Sequence, residues 1–120
     1  MEQSIFFFIG LSFILTHEMD AIKAREWTIF PILDKLDGKT GYLVFITVHI
    51  PLYFVLFLTL FSPNGLNRGL IRGLDIFFII HLFLHLLFLR HPKNEFKSVI
   101  SWGIIIGAGV AGLLDLIVGF

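Results

Sequence analysis

Five histidines and a short acidic run are the residues able to do chemistry in this chain. Thr16-His17-Glu18-Met19-Asp20-Ala21 closes an apolar run that begins at Ile5. Ionisable groups beside a bilayer interior are costly unless they have partners or a ligand. His81 and His85 stand at i, i+4 and project from one helix face. That spacing lets two imidazoles ligate one ion. His49 lies two residues before Pro51, which removes an amide donor and frees the Thr47 carbonyl. Irregular backbone at that depth is tolerated beside a cavity or a protein-buried site.

Three imidazoles plus a carboxylate suit a divalent transition metal, zinc ahead of iron, rather than magnesium or calcium. His49, His81 and His85 are the first choices as ligands, with His17 a fourth candidate. Glu18 is the candidate general base, or a ligand if two metals share the site. Asp20 is the candidate that orients an imidazole from outside the coordination shell. Haem held between two histidines of facing spans, His49 with His81 or His85, is the alternative cofactor. The acids nearby speak against it.

The elements that must carry these residues follow from composition. Of 120 residues, 57% are hydrophobic and fifteen are Phe, more apolar surface than a soluble core of this size could bury. Charges fall in short clusters between apolar runs. The expected fold is all-α, a four-helix transmembrane bundle in a single domain over residues 1–120. Its spans are expected at about 4–24, 42–61, 70–90 and 98–119, each near the roughly 20 residues a crossing needs. A short interfacial amphipathic helix is expected between spans one and two, with Pro31 in its first turn, Gly38 at its end, and Ile32, Leu33 and Leu36 on one face. Trp27 is expected in the aromatic belt. The first apolar run has no basic leader and no small-x-small cleavage site, so it reads as a retained span.

Lys23, Arg25, Lys35, Lys39, Arg90, Lys93 and Lys97 flank connections one and three, whereas connection two has only Arg68 and Arg72. The positive-inside rule then puts both termini outside the cytoplasm, in an inner-membrane protein. At about 1.5 Å of rise per residue, His17 and His49 lie about 10 Å in from the cytoplasmic ends of their spans, and His81 and His85 about 13 and 7 Å. Four histidines and Glu18 therefore share one slab. His91, beside Pro92, reads as an interface residue.

Asp75 and Asp115 fall in the outer halves of spans three and four, as a structural pair or a small polar pocket. Gly103, Gly107 and Ala111 recur at i+4 and form a close helix-contact face, which could also serve a homo-oligomer. The chain has no cysteine, which excludes disulfides, thiolate zinc sites, iron–sulfur clusters and Cys nucleophiles. Nine basic and nine acidic residues, with no basic stripe, argue against nucleic acid as a partner. Membrane lipid and a hydrophobic small-molecule substrate are the expected partners. HExxH, paired ExxH and GxSxG motifs are all missing.

His17-Glu-Met-Asp-Ala-Ile22, Glu26-Trp27, Phe30-Pro31 and His49-Ile-Pro-Leu52 resemble a family of small, uncharacterised bacterial four-span membrane proteins. The resemblance covers about residues 15–55 and implies a four-helix membrane fold with no activity to carry over. It adds weight to Asp20 and Glu26 as site residues. The His81/His85 pair is also similar, in chemistry alone, to that of intramembrane zinc hydrolases of the alkaline ceramidase and adiponectin-receptor type. The reading that follows is a metal-dependent membrane enzyme acting on a lipid or other hydrophobic substrate. A divalent-cation or proton binding or transport protein without catalysis, and a small haem b protein, are the alternatives.

Overall fold

The structure, a computed structural model, describes residues 5–29, 35–63 and 65–118, leaving out the side chains of Glu26 and Ser62. Four α-helices form among the described residues: α1 (Ile5–Lys23), α2 (Gly38–Leu60), α3 (Arg68–Leu87) and α4 (Val99–Val118). All four are long and apolar enough to cross a membrane. The long axis of 45 Å matches the roughly 40–45 Å of a bilayer with its headgroups.

Turn chemistry sets the helix ends. Arg25, two residues after α1, adopts a left-handed φ of 53°, and a 3-10 turn, Glu26–Ile29, follows. The Thr28 N–H and hydroxyl both donate to the Arg25 carbonyl, at 2.9 and 2.7 Å. Asp37 caps α2 by accepting from the Thr40 amide at 2.7 Å. That bond, with a second from the Thr40 hydroxyl, holds the Asp37 carboxyl below its ordinary value of 3.8. Gly38 therefore opens α2 rather than ending an interfacial helix. Residues 31–34, where that helix is expected, lie outside the described residues. α2 continues through Pro51 as one helix.

Between α2 and α3, β1 (Phe61–Ser62) and β2 (Gly65–Leu66) pair antiparallel, with Phe61 opposite Leu66. Gly65 takes a φ of 112°, open to glycine and strained for other residues. Asn67 fastens this turn to both helices. Its side-chain amide donates to the Thr59 carbonyl at 3.1 Å, and its Oδ1 accepts from the Leu70 amide that begins α3.

α1, α3 and α4 make the tight part of the bundle. Small residues on α4 allow it. A Cβ at Gly107 would stand 3.1 Å from the Phe13 ring of α1, and one at Gly112 only 2.7 Å from the Asp75 carbonyl of α3. The expected small-residue face thus packs within the chain at Gly107 and Ala111, while Gly103 has open space around it. α2 flanks this unit and leaves much of its apolar surface outward, including Ile50, Phe54 and Leu58. One core cluster joins Phe7, Leu11, Ile14, Ile71, Phe78 and Ala108. A second, at the opposite end of α1, joins Ala21, Trp27, Phe45, Phe96 and Ile105. Trp27 is not a belt residue. It is 3% exposed, and a Cβ at Gly41 would fall 2.4 Å from its Nε1, so its indole sits directly on the α2 backbone.

Candidate metal centre

The buried face of α1 runs through Phe7, Gly10, Leu11, Ile14, His17 and Ala21, a stripe at steps of three and four. α3 buries Ile71, Asp75, Phe78, His81 and His85 in the same way. The two stripes meet, so the imidazoles that interrupt them meet as well. His17, His81 and His85 are all buried, and one ligand atom of each lies within 4.8 Å of the other two. Their ring centroids form a near-regular triangle of 4.5, 5.0 and 4.5 Å.

The Nε2 atoms of His17 and His81 are 3.1 Å apart. Two nitrogens about 2.0–2.1 Å from a tetrahedral zinc lie about 3.3 Å from each other. One edge of a coordination tetrahedron is therefore nearly formed, with the His85 nitrogen beside it. Three neutral nitrogen donors in an apolar setting suit a borderline transition metal rather than magnesium or calcium. These three residues could hold a metal ion.

Phe96 covers the trio. Its ring stacks on His17 at 5.2 Å and meets His85 edge-on at 4.7 Å. Two hydrogen bonds within the α3–α4 connection and one from α4 hold it there. Asn94 Oδ1 accepts from the Phe96 amide at 3.0 Å, and Asn94 Nδ2 donates to the Leu89 carbonyl at 3.0 Å. The Trp102 indole N–H donates to the Phe96 carbonyl at 2.6 Å. Phe96 is 1% exposed.

The other candidates sit apart from the trio. His49 approaches Glu18, its Nε2 lying 2.5 Å from Glu18 Oε2, while its Nδ1 lies 2.5 Å from the Phe45 carbonyl. It is thus placed as the partner of a carboxylate on the α2 side of α1, a turn of about 100° from the His17 face. Asp20 turns to α4 rather than to an imidazole. The Ser101 hydroxyl donates to its Oδ2 at 2.5 Å, and the Ser98 hydroxyl donates to Ser101 at 2.9 Å. A carboxylate at the first turn of α4 also meets the positive end of that helix dipole. The His91 Nδ1 accepts from the Lys93 amide within its own loop. The Glu26 side chain lies outside the described residues.

Asp75 and Asp115 are both fully buried between α3 and α4, far along the helices from the trio. Asp115 Oδ1 accepts from the Phe7 amide at 3.2 Å, one of the first-turn N–H groups that α1 cannot bond internally. Sequence reasoning did not find Phe96, nor the Ser101 contact to Asp20. The Asn94-x-Phe96 turn after Pro92 was the available signal for the first.

No curated protein and no solved structure is significantly similar to this chain. The model of DUF6713, a family of unknown function, matches residues 3–120, and the chain belongs to that family.

Proposed function

We propose that this is an integral membrane metalloprotein whose His17, His81 and His85 hold one divalent transition metal, zinc ahead of iron, and which acts as a hydrolase on a hydrophobic substrate. The observation that carries it is the convergence of three buried imidazoles, from two helices, within 4.8 Å. A divalent ion on three histidines supplies Lewis acidity, enough in known sites of that kind to bring the pKa of water to about 7. The His-x-x-x-His pair at 81 and 85 extends the chemical analogy to intramembrane zinc hydrolases. On this reading the site lies in the cytoplasmic half of an inner membrane with both termini outside, which the excess of Lys and Arg around connections one and three supports.

Glu18 and His49 are the acid–base pair of this reading. They lie on the neighbouring face of α1, where a proton can pass between Oε2 and Nε2 over 2.5 Å. Asp20, bonded to Ser101, fixes α1 against α4 and so positions His17. Haem between His49 and His81 or His85 is less favoured, because His49 Nε2 is taken by Glu18, and centroids 4.5–5.0 Å apart leave no room for a macrocycle within the trio.

The cover provided by Phe96 favours a second reading, a closed cation-binding site without turnover. Reconstituted protein separates the two. The hydrolase reading expects release of product from neutral acyl lipids, abolished by chelation, restored by zinc and absent from His81→Ala. Zinc-loaded protein with no turnover on any neutral acyl ester or amide refutes it and leaves the binding reading.

A further inference from the structure

Two cavities flank the contact between α1 and α2, about 250 and 270 Å³ in volume. Each is close to the lower end of small-molecule sites, about 300 Å³. They share Glu18 and Tyr53 and so adjoin along one groove beside α1 and α2. The first holds His49 beside Phe45 and Ile46. The second is a slot between Leu11 and Leu15 of α1, Leu52 and Leu56 of α2, and Leu74 and Phe78 of α3. From Glu18 to Leu11 the slot runs about 10 Å along α1. Its polar lining is confined to the Glu18, His49 and Tyr53 end.

The charge of that end limits the ligand. The His49 ring lies between two acceptors, the Phe45 carbonyl and the Glu18 carboxylate. Both ring nitrogens and Glu18 Oε2 are thus already engaged with each other or with backbone. A phosphate or fatty-acid head would meet carboxylate oxygen, and a cationic head would bring an unbalanced charge into an apolar wall. A carbonyl finds a donor there in the Tyr53 phenol. With about 270 Å³ over about 10 Å of helix the slot holds one chain rather than two, and the apolar flank of α2, with Leu52 57% exposed, opens it toward lipid.

We propose that this groove binds a neutral single-chain acyl ester or amide, carbonyl at the Glu18–His49–Tyr53 end and chain in the slot toward Leu11. As a substrate class this rests on the hydrolase reading, but the binding itself needs no metal. The test uses the full chain in phosphatidylcholine nanodiscs and two photoactivatable probes with the same chain, a monoacylglycerol and a free fatty acid. Residue-level mapping should find the monoacylglycerol on Leu56, Leu74 and Phe78, with the fatty acid labelling about tenfold less, a difference near 1.4 kcal/mol. Leu56→Trp fills the slot and should remove most of that labelling without changing metal content. Equal labelling by both probes, spread over the outward residues Ile50 and Phe54, overturns the proposal, as does selective labelling that survives Leu56→Trp. The two-probe comparison on wild-type protein decides even if that variant does not fold. Selective labelling of a protein that binds no metal would sink the hydrolase reading and leave the ligand site standing.

Discussion

Replacing Phe96 with Ala uncovers the three histidines, and the size of the effect follows from what the ring touches. Phe96 is almost fully buried, stacked on His17 at 5.2 Å and edge-on to His85 at 4.7 Å. Truncating a buried Phe to Ala costs about 3–5 kcal/mol where the site cannot collapse. Here the Asn94 and Trp102 bonds hold the loop backbone in place, so collapse is limited. Taking about 3 kcal/mol as the loss of closure, and 1.4 kcal/mol per factor of ten, the open loop becomes roughly a hundredfold more populated. Metal release into a chelator should accelerate by the same order, with equilibrium affinity changing far less because the ligands remain. Stopped-flow chelator kinetics on zinc-loaded protein measure this. Amide exchange at Asn94–Lys97, which needs no metal, reports the loop directly. Phe96→Leu, close in volume, should restore most of the slow release. Release rates within twofold of wild type in a folded Phe96→Ala protein would refute the role of this ring as a cover.

Other positions test the packing that aligns the helices. Gly41→Ala puts a Cβ 2.4 Å from the Trp27 Nε1, so the indole must leave its seat; Trp fluorescence should shift and stability in micelles fall by about 1–3 kcal/mol. Gly112→Ala meets backbone, the Asp75 carbonyl at 2.7 Å, and should cost as much, whereas Gly103→Ala meets nothing within 4 Å and should be neutral or slightly stabilising in the same denaturation assay. Asp37 has a lowered carboxyl value in the folded chain, so its cap stabilises fully above the unfolded value of 3.8 and is lost as pH falls through the lower folded one. Asp37→Asn should keep the cap and remove that acid-limb dependence, read from helicity against pH.

Much of this architecture is legible in the chain because span length is a strong constraint. Apolar runs bounded by Asp37, Asn67 and the His91-Pro92 break correspond to α2, α3 and the α3–α4 connection within a few residues. Depth is legible too. Counting residues in from span ends puts four histidines in one slab, and three of them do meet. Rotation about each helix axis is harder to read. His49 lies at the expected depth, but α2 presents it to Glu18 rather than to His81. α2 has hydrophobic residues all round, so its sequence carries no face to indicate which way it turns. His17 was legible by depth, whereas the buried stripe it shares with Phe7, Leu11 and Ile14 was not, because the run before it is apolar on every face. Trp27 was misassigned because an indole near a span end fits a lipid belt and a Gly pocket equally well; only the neighbouring backbone at Gly41 decides.

The central claim is that His17, His81 and His85, and not His49, bind a metal. Metal content by elemental analysis, read together with X-ray absorption on the same purified samples, tests it most directly. Wild-type protein should hold about one metal per chain with three nitrogen ligands at about 2.0–2.1 Å. That metal should be lost in His17→Ala and His81→Ala, and retained in His49→Ala. A wild-type protein without metal, or one that loses it on His49→Ala while keeping it on His17→Ala, would contradict the account.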